Sequence, residues 1–158
     1  LVDNGTPKLG VVYAPAINRL FYTLKTDVAV EELAPFKGTT IGRLIPLHVS
    51  KPNNNALIVI SSKSHQNQAT DKYISNYKIR SSKNSGSSLK FCLLATGEAD
   101  FYPRLGRTME WDTAAGDAIL RAAGGKVVTF ESHAPLKYGK VGYENPFFIA
   151  FANGVKLI

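Results

Sequence analysis

The chain has 158 residues, 44% of them hydrophobic and 20% charged. That suits one globular domain and excludes collagen-like, mucin-like and disordered chains. Nineteen Lys and Arg stand against twelve Asp and Glu, a net charge of +7, which favours an anionic ligand. The basic residues are dispersed and form no arginine-rich arm, so a small anion is expected as partner and nucleic acid is not. The longest apolar runs, Leu57–Ile60 and Phe147–Ala152, are far shorter than the ~20 residues of a transmembrane helix. The single cysteine, Cys92, leaves no internal disulfide or Cys-rich zinc site and fits a reducing cytoplasm. It lies in the apolar run Phe91-Cys92-Leu93-Leu94 and reads as a core residue rather than a nucleophile. The chain begins at Leu1, its one methionine is Met109, and nothing resembles a signal peptide. It reads as processed or as a piece of something longer.

In chain order, Gly10–Ala14 and Arg19–Leu24 are β-prone runs around Pro15-Ala16-Ile17-Asn18, the pattern of a hairpin. Residues 34–55 carry Pro35, Gly38, Gly42, Pro46 and Pro52, which oppose long regular structure. Ala56–Ile60 is a continuous apolar run, as in a buried strand. Residues 66–76 suit a polar helix and Tyr77–Arg80 a further strand. Leu89, Cys92, Leu93 and Thr96 follow helical spacing, and Gly97 ends that helix. Ala99–Tyr102 reads as a strand stopped by Pro103. Trp111–Ala123 is the strongest helix, with a narrow small-residue face ended by Gly124-Gly125. Lys126–Phe130 and Phe147–Ala152 read as the last strands. Strands alternating with helices predict an α/β layered sandwich.

Several residues could carry chemistry, each with a plainer alternative. Ser85–Lys90 is a Ser/Gly turn entering a helix, which suits phosphate or is a serine N-cap with a solvated lysine. Ser87 and Lys90 would share a helix face. Asp112 is either an N-cap or a hard oxygen ligand for Mg²⁺. Glu98 and Asp100 would lie on one strand face, without metal-ligand spacing. His65 follows a buried strand, a common ligand position in α/β folds, or is an exposed loop histidine. Arg104 grips a phosphate or is solvated. His48 and His133 have no supporting context, and no P-loop or dinucleotide fingerprint is present.

The stretch Trp111-Asp112-Thr113-Ala114-Ala115-Gly116-Asp117-Ala118-Ile119-Leu120-Arg121-Ala122-Ala123-Gly124-Gly125 resembles the C-terminal signature of the inositol monophosphatase superfamily, Mg²⁺-dependent and lithium-sensitive phosphatases. Within it, Ser61-Ser62-Lys63-Ser64-His65, Gly86-Ser87-Ser88-Leu89-Lys90-Phe91-Cys92 and Ala99-Asp100-Phe101-Tyr102-Pro103-Arg104 resemble the 3′(2′),5′-bisphosphate nucleotidases of bacterial sulfur assimilation. Asn4–Pro15, Pro135–Tyr138 and Asn145-Pro146 are similar to their hairpin and C-terminal segments. Lys63 departs from the arginine frequent in relatives.

The resemblance implies a sugar-phosphatase-type layered αβ sandwich, of which this chain is the C-terminal lobe plus part of the central sheet. Residues 1–33 would belong to the sheet of an N-terminal lobe and residues 34–158 would form the C-terminal lobe. It implies Asp112 as a metal-ligating catalytic residue and His65, Gly86, Ser87, Lys90 and Arg104 as substrate-binding residues. Two or three Mg²⁺ ions would serve the intact enzyme, which would convert 3′-phosphoadenosine 5′-phosphate to AMP and phosphate. The family's Asp-Pro-Leu/Ile-Asp-Gly-Thr motif and Glu-Glu pair are absent here, so this chain alone is expected to have little activity. At the Arg104 position inositol phosphatases tend to have glutamate, and arginine suits a doubly phosphorylated nucleotide. The alternatives are an inositol monophosphatase or fructose-1,6-bisphosphatase-like enzyme, or a non-catalytic nucleotide-binding module. A cytoplasmic location is expected, with peripheral attachment to the inner membrane face and a homodimer both allowed.

Overall fold

The computed structural model describes residues 1–36, 38, 40–62 and 67–158. A two-stranded ribbon, β1 (Val2–Asp3) and β2 (Thr6–Pro7), opens the chain. The expected hairpin follows: β3 (Val11–Ala14) pairs antiparallel with β4 (Arg19–Lys25) across a 3-10 turn at Pro15–Ile17. β5 (Val28–Glu32) and β6 (Leu44–Pro46) extend it to a four-stranded sheet, so one strand does form within residues 34–55.

The second sheet has five strands in the order β10-β11-β9-β7-β8. β7 (Leu57–Ser62) is the expected buried strand, parallel to both β8 (Ile79–Ser85) and β9 (Phe101–Arg104). β10 (Lys126–Thr129) and β11 (Phe148–Phe151) complete it in antiparallel fashion. Helix α1 (Gln68–Ile74) covers one face. Helices α2 (Leu89–Ala95) and α3 (Ala114–Ala122) lie on the other. The period-2 alternation of β11 is the reason: Ile149 and Phe151 join Tyr73 of α1, while Phe148 and Ala150 join Phe91 and Ile119. Phe21 and Ala29 of the four-stranded sheet enter the α2–α3 core. The layers therefore run helix, sheet, helix pair, sheet. Cys92 is fully buried in that core, and burial pushes its thiol pKa up, away from nucleophilic chemistry.

Several elements depart from the sequence expectation. β8 begins two residues late and runs on to Ser85, its parallel pairing with β7 overriding weak polar propensity. Pro103 lies inside β9 rather than ending it. The Ala152 amide donates to the Asp100 carbonyl at 2.8 Å, and Pro103 faces Ile149 one step out of phase with that pair. Its missing N–H therefore falls where the β9–β11 ladder needs none. Glu98 and Asp100 share no strand face. Glu98 sits in a turn, and Asp100 precedes β9, accepting from the Ser50 hydroxyl (2.5 Å) and the Ile58 amide (2.7 Å). The helix expected over Trp111–Ala123 splits into a 3-10 turn at Glu110–Asp112 followed by α3.

Three contacts lock the layers. A Cβ on Gly116 would sit 2.8 Å from Phe91 Cβ, so α3 touches α2 at a residue without a side chain. A Cβ on Gly10 would lie 2.2 Å from the Ala115 carbonyl oxygen, so the hairpin backbone rests directly on α3. Arg19 makes a fork to Glu31 (2.6 and 2.8 Å) and reaches Glu98 at 2.8 Å, tying the four-stranded sheet to the turn after α2. Beneath α3, buried Asp117 accepts from Arg121 (2.5 Å) and the Tyr138 hydroxyl (2.9 Å). Among the described residues no helix is long and apolar enough to cross a membrane.

Gly116→Ala is expected to destabilise the chain by about 1–3 kcal/mol through overpacking against Phe91. Thermal unfolding by circular dichroism reads this directly, and an unchanged melting temperature would show that the contact is not tight.

Candidate functional site

The end of β7, the turn before α2, β9 and the turn before α3 meet at a cleft of about 280 Å³. Its lining includes Ser62, Ser87, Lys90, Tyr102, Arg104 and Asp112. Four residues expected from the sequence, Ser87, Lys90, Arg104 and Asp112, thus converge from three separate segments. The volume is at the small end for small-molecule sites. His65 and the departing Lys63 lie outside the described residues.

Lys90 is not the solvated lysine of the plainer alternative. It is only 4% exposed, its Nζ donates to the Ser85 carbonyl at 3.4 Å, and the ammonium lies 5.1 Å from the centre of the Tyr102 ring. Among the described residues no salt bridge reaches it. Burial, and then the charge of Arg104, lower its pKa to about 8, with Asp112 opposing. Arg104 is likewise buried, on β9 and not in a loop, and its Nη2 donates to the Arg107 carbonyl at 2.9 Å. Two buried cations face one cleft, and a negative charge entering it would lower the cost of their burial.

The serine turn differs in detail from expectation. Ser87 precedes the helix in a left-handed conformation (φ 47°) and so shares no helix face with Lys90. Ser88, at the N-cap, makes no side-chain cap; its hydroxyl donates to the Asp112 carbonyl at 3.0 Å, tying the α2 entry to the α3 entry. Among the described residues, a Cβ on Gly86 would meet nothing within 4 Å.

Asp112 does not cap α3. It is exposed and ends the 3-10 turn, and its Oδ2 accepts from the Met109 amide at 3.0 Å. Thr113 occupies the N-cap position of α3 without a side-chain cap bond. Glu110 is buried one turn away. Burial alone would raise its pKa, but the Lys140 ammonium and the amides of Gly139 and Lys140 outweigh this and hold it below the usual carboxylate range. Among the described residues no group of three or more His, Cys, Asp and Glu gathers as a metal site. One carboxylate beside two cations does not by itself fit Mg²⁺, which takes several oxygen ligands.

Arg107, Thr108 and Thr113 also line the cleft and were not distinguished by sequence reasoning. Arg107 follows Arg104 by three residues and the threonines flank Met109 and Asp112, but only the fold shows that this turn faces Lys90.

The layered α/β fold thus carries a cleft that joins two buried cations to a carboxylate at the rim. The inositol monophosphatase family model matches residues 1–149, and the chain belongs to that family. It is 37% identical over 153 residues to the 3′(2′),5′-bisphosphate nucleotidase CysQ of Buchnera aphidicola, covering 97% of this chain and 52% of that protein. Identity to CysQ of Escherichia coli K12 is 36% over 149 residues, covering 94% of this chain and 56% of that one. The crystal structure of CysQ from Bacteroides thetaiotaomicron superposes with a TM-score of 0.83 at 34% identity, covering 96% of this chain and 60% of that one. The chain thus spans about half the length of the curated nucleotidases it matches.

Deprotonation of Lys90 has a readable consequence. Sulfate stays a dianion from pH 7 to 9, so its affinity is expected to fall across that interval as Lys90 loses its proton. Calorimetric titration at both pH values checks this; Lys90→Gln is expected to bind more weakly and to lose most of the pH dependence.

Proposed function

We propose that the intact protein is a phosphatase acting on 3′(2′),5′-bisphosphate nucleotides, releasing the 3′-phosphate of 3′-phosphoadenosine 5′-phosphate. The observation that carries this reading is the convergence of Lys90, Arg104 and Asp112 on one cleft, in a chain similar over nearly its whole length to nucleotidases. Lys90 and Arg104 would hold the anionic groups, and the backbone at Gly86 with Ser87 would seat the nucleotide close to the turn, with His65 as a further contact. Held cations at a phosphate lower the energy of charge developing on its oxygens. Asp112 would be one ligand to Mg²⁺, the other ligands coming from outside these 158 residues. Bound Mg²⁺ would supply Lewis acidity and a more acidic water. Arginine at position 104 favours a doubly phosphorylated nucleotide over an inositol phosphate, which separates this reading from the sugar-phosphatase alternative. A cytoplasmic enzyme of nucleotide recycling in sulfur assimilation is the setting we propose.

The test is phosphate release from 3′-phosphoadenosine 5′-phosphate with Mg²⁺ by the 158-residue chain and by the full-length protein. Turnover by the full-length protein alone is expected; robust turnover by the shorter chain would overturn the assignment of the missing ligands. In the full-length protein, Arg104→Glu is expected to lower bisphosphate turnover by about 10- to 100-fold, the loss of a charged hydrogen bond, and to shift preference toward inositol phosphate. An unchanged substrate ranking counts against the nucleotide reading.

Val11 and Tyr13 alternate outward on β3, and Ile41, Leu24 and Ile17 are also exposed around the four-stranded sheet. We propose that this apolar surface drives self-association of the 158-residue chain. Sedimentation velocity should show weight-average mass rising with concentration, and a clean monomer at high concentration would refute it.

A further inference from the structure

The cleft wall from Arg107 to Thr113 is a turn with little regular structure of its own, and a second segment holds it. Residues 139–145 run alongside. The Glu110 amide donates to the Tyr143 carbonyl at 2.8 Å, and the Asn145 amide donates to the Thr108 carbonyl at 2.9 Å. The buried Glu110 carboxylate accepts from the Gly139 amide (2.7 Å), the Lys140 amide (3.0 Å) and the Lys140 ammonium (2.5 Å). The buried Asn145 side chain donates through Nδ2 to the Met109 carbonyl at 2.9 Å and to Thr113 Oγ1 at 3.0 Å. These two acceptors bracket Asp112, whose own Oδ2 is held by the Met109 amide.

The geometry points to Asn145 as a positioning residue for the anion site, setting the turn that carries Asp112, Arg107 and Thr108 from an irregular segment that is not among the described residues lining the cleft. The chemistry is specific. An amide NH₂ has two hydrogens and can serve two acceptors at once. Here they join the start and the end of one short turn. Alanine removes both donors: the Met109 carbonyl keeps the Asp112 amide and the Thr113 hydroxyl keeps the Glu110 carbonyl, but the side-chain tie from residue 145 to both ends of the turn is lost. Glu110 acts at the same junction from the other side, since it belongs to the turn and gathers the amides of residues 139–140. Together they form a clamp closed by buried polar bonds, where a lost partner is costlier than at the surface. This inference rests on the proposed anion-binding role of the cleft, although the holding of the turn does not.

Two readouts separate the claims. Hydrogen exchange reports the turn itself, and sulfate calorimetry reports the site. In Asn145→Ala, the Met109 and Asp112 amides are expected to lose at least about tenfold protection, the scale of one or two hydrogen bonds. Amides of β7 and β11 should keep theirs, which shows that the chain is still folded. Sulfate affinity should fall by about tenfold. Glu110→Gln keeps its volume and an acceptor oxygen, so it should fold and show a smaller loss in both readouts. Unchanged protection of the turn in both variants would overturn the inference, as would a loosened turn with wild-type sulfate affinity. If the turn loosens but neither wild type nor variant binds sulfate, the anion reading of the cleft fails while the holding of the turn by Asn145 stands.

Discussion

Everything at the cleft depends on how closely α2 and α3 approach each other. With no side chain on Gly116, Phe91 packs directly against the α3 backbone, and that contact brings the entries of the two helices together. Ser88 then bonds to the Asp112 carbonyl, and Lys90, in the first turn of α2, faces the same cleft as Asp112. A larger residue at position 116 would push the helices apart, and interiors packed at this density do not absorb such a shift locally. The small-residue face of α3 is therefore a spacing device for the site as well as a core surface.

The second constraint is electrostatic. Lys90 and Arg104 are both buried, face one cleft and oppose each other's charge. Here the ring of Tyr102 and the Ser85 carbonyl soften the burial of Lys90 without cancelling its charge. Nearby polar networks, at Asp117–Arg121–Tyr138 and at Glu110–Lys140, pair acidic groups with their own donors. Two cations drawn into one cleft are the feature on which the proposed ligand reading turns.

Much of the architecture was legible before the fold was known. The hairpin, the buried strand β7 and helices α2 and α3 follow from apolar periodicity and from Gly and Pro punctuation, because burial of one face demands that pattern. The misreadings came where long-range pairing outweighed local propensity. The polar run to Ser85 became a strand because β7 offered it a parallel partner, and Pro103 was tolerated in β9 because its missing donor fell out of phase with the ladder. The family-type motifs brought Lys90, Arg104 and Asp112 into consideration, but from local pattern alone each had an equally good solvent-exposed or capping role.

The sequence by itself determined the class of the fold, the basic balance, the core placement of Cys92 and the family to which the motifs point. These are properties of local pattern and composition, and they need no knowledge of what lies across the molecule. Only the tertiary structure decided that Lys90 and Arg104 are buried, that Asp112 belongs to a 3-10 turn rather than to a helix cap, and that Asn145 reaches back to hold that turn. Burial and hydrogen-bond partnership are set by residues distant in the chain, here up to 37 positions apart between Asn145 and Thr108, and no local pattern encodes that distance.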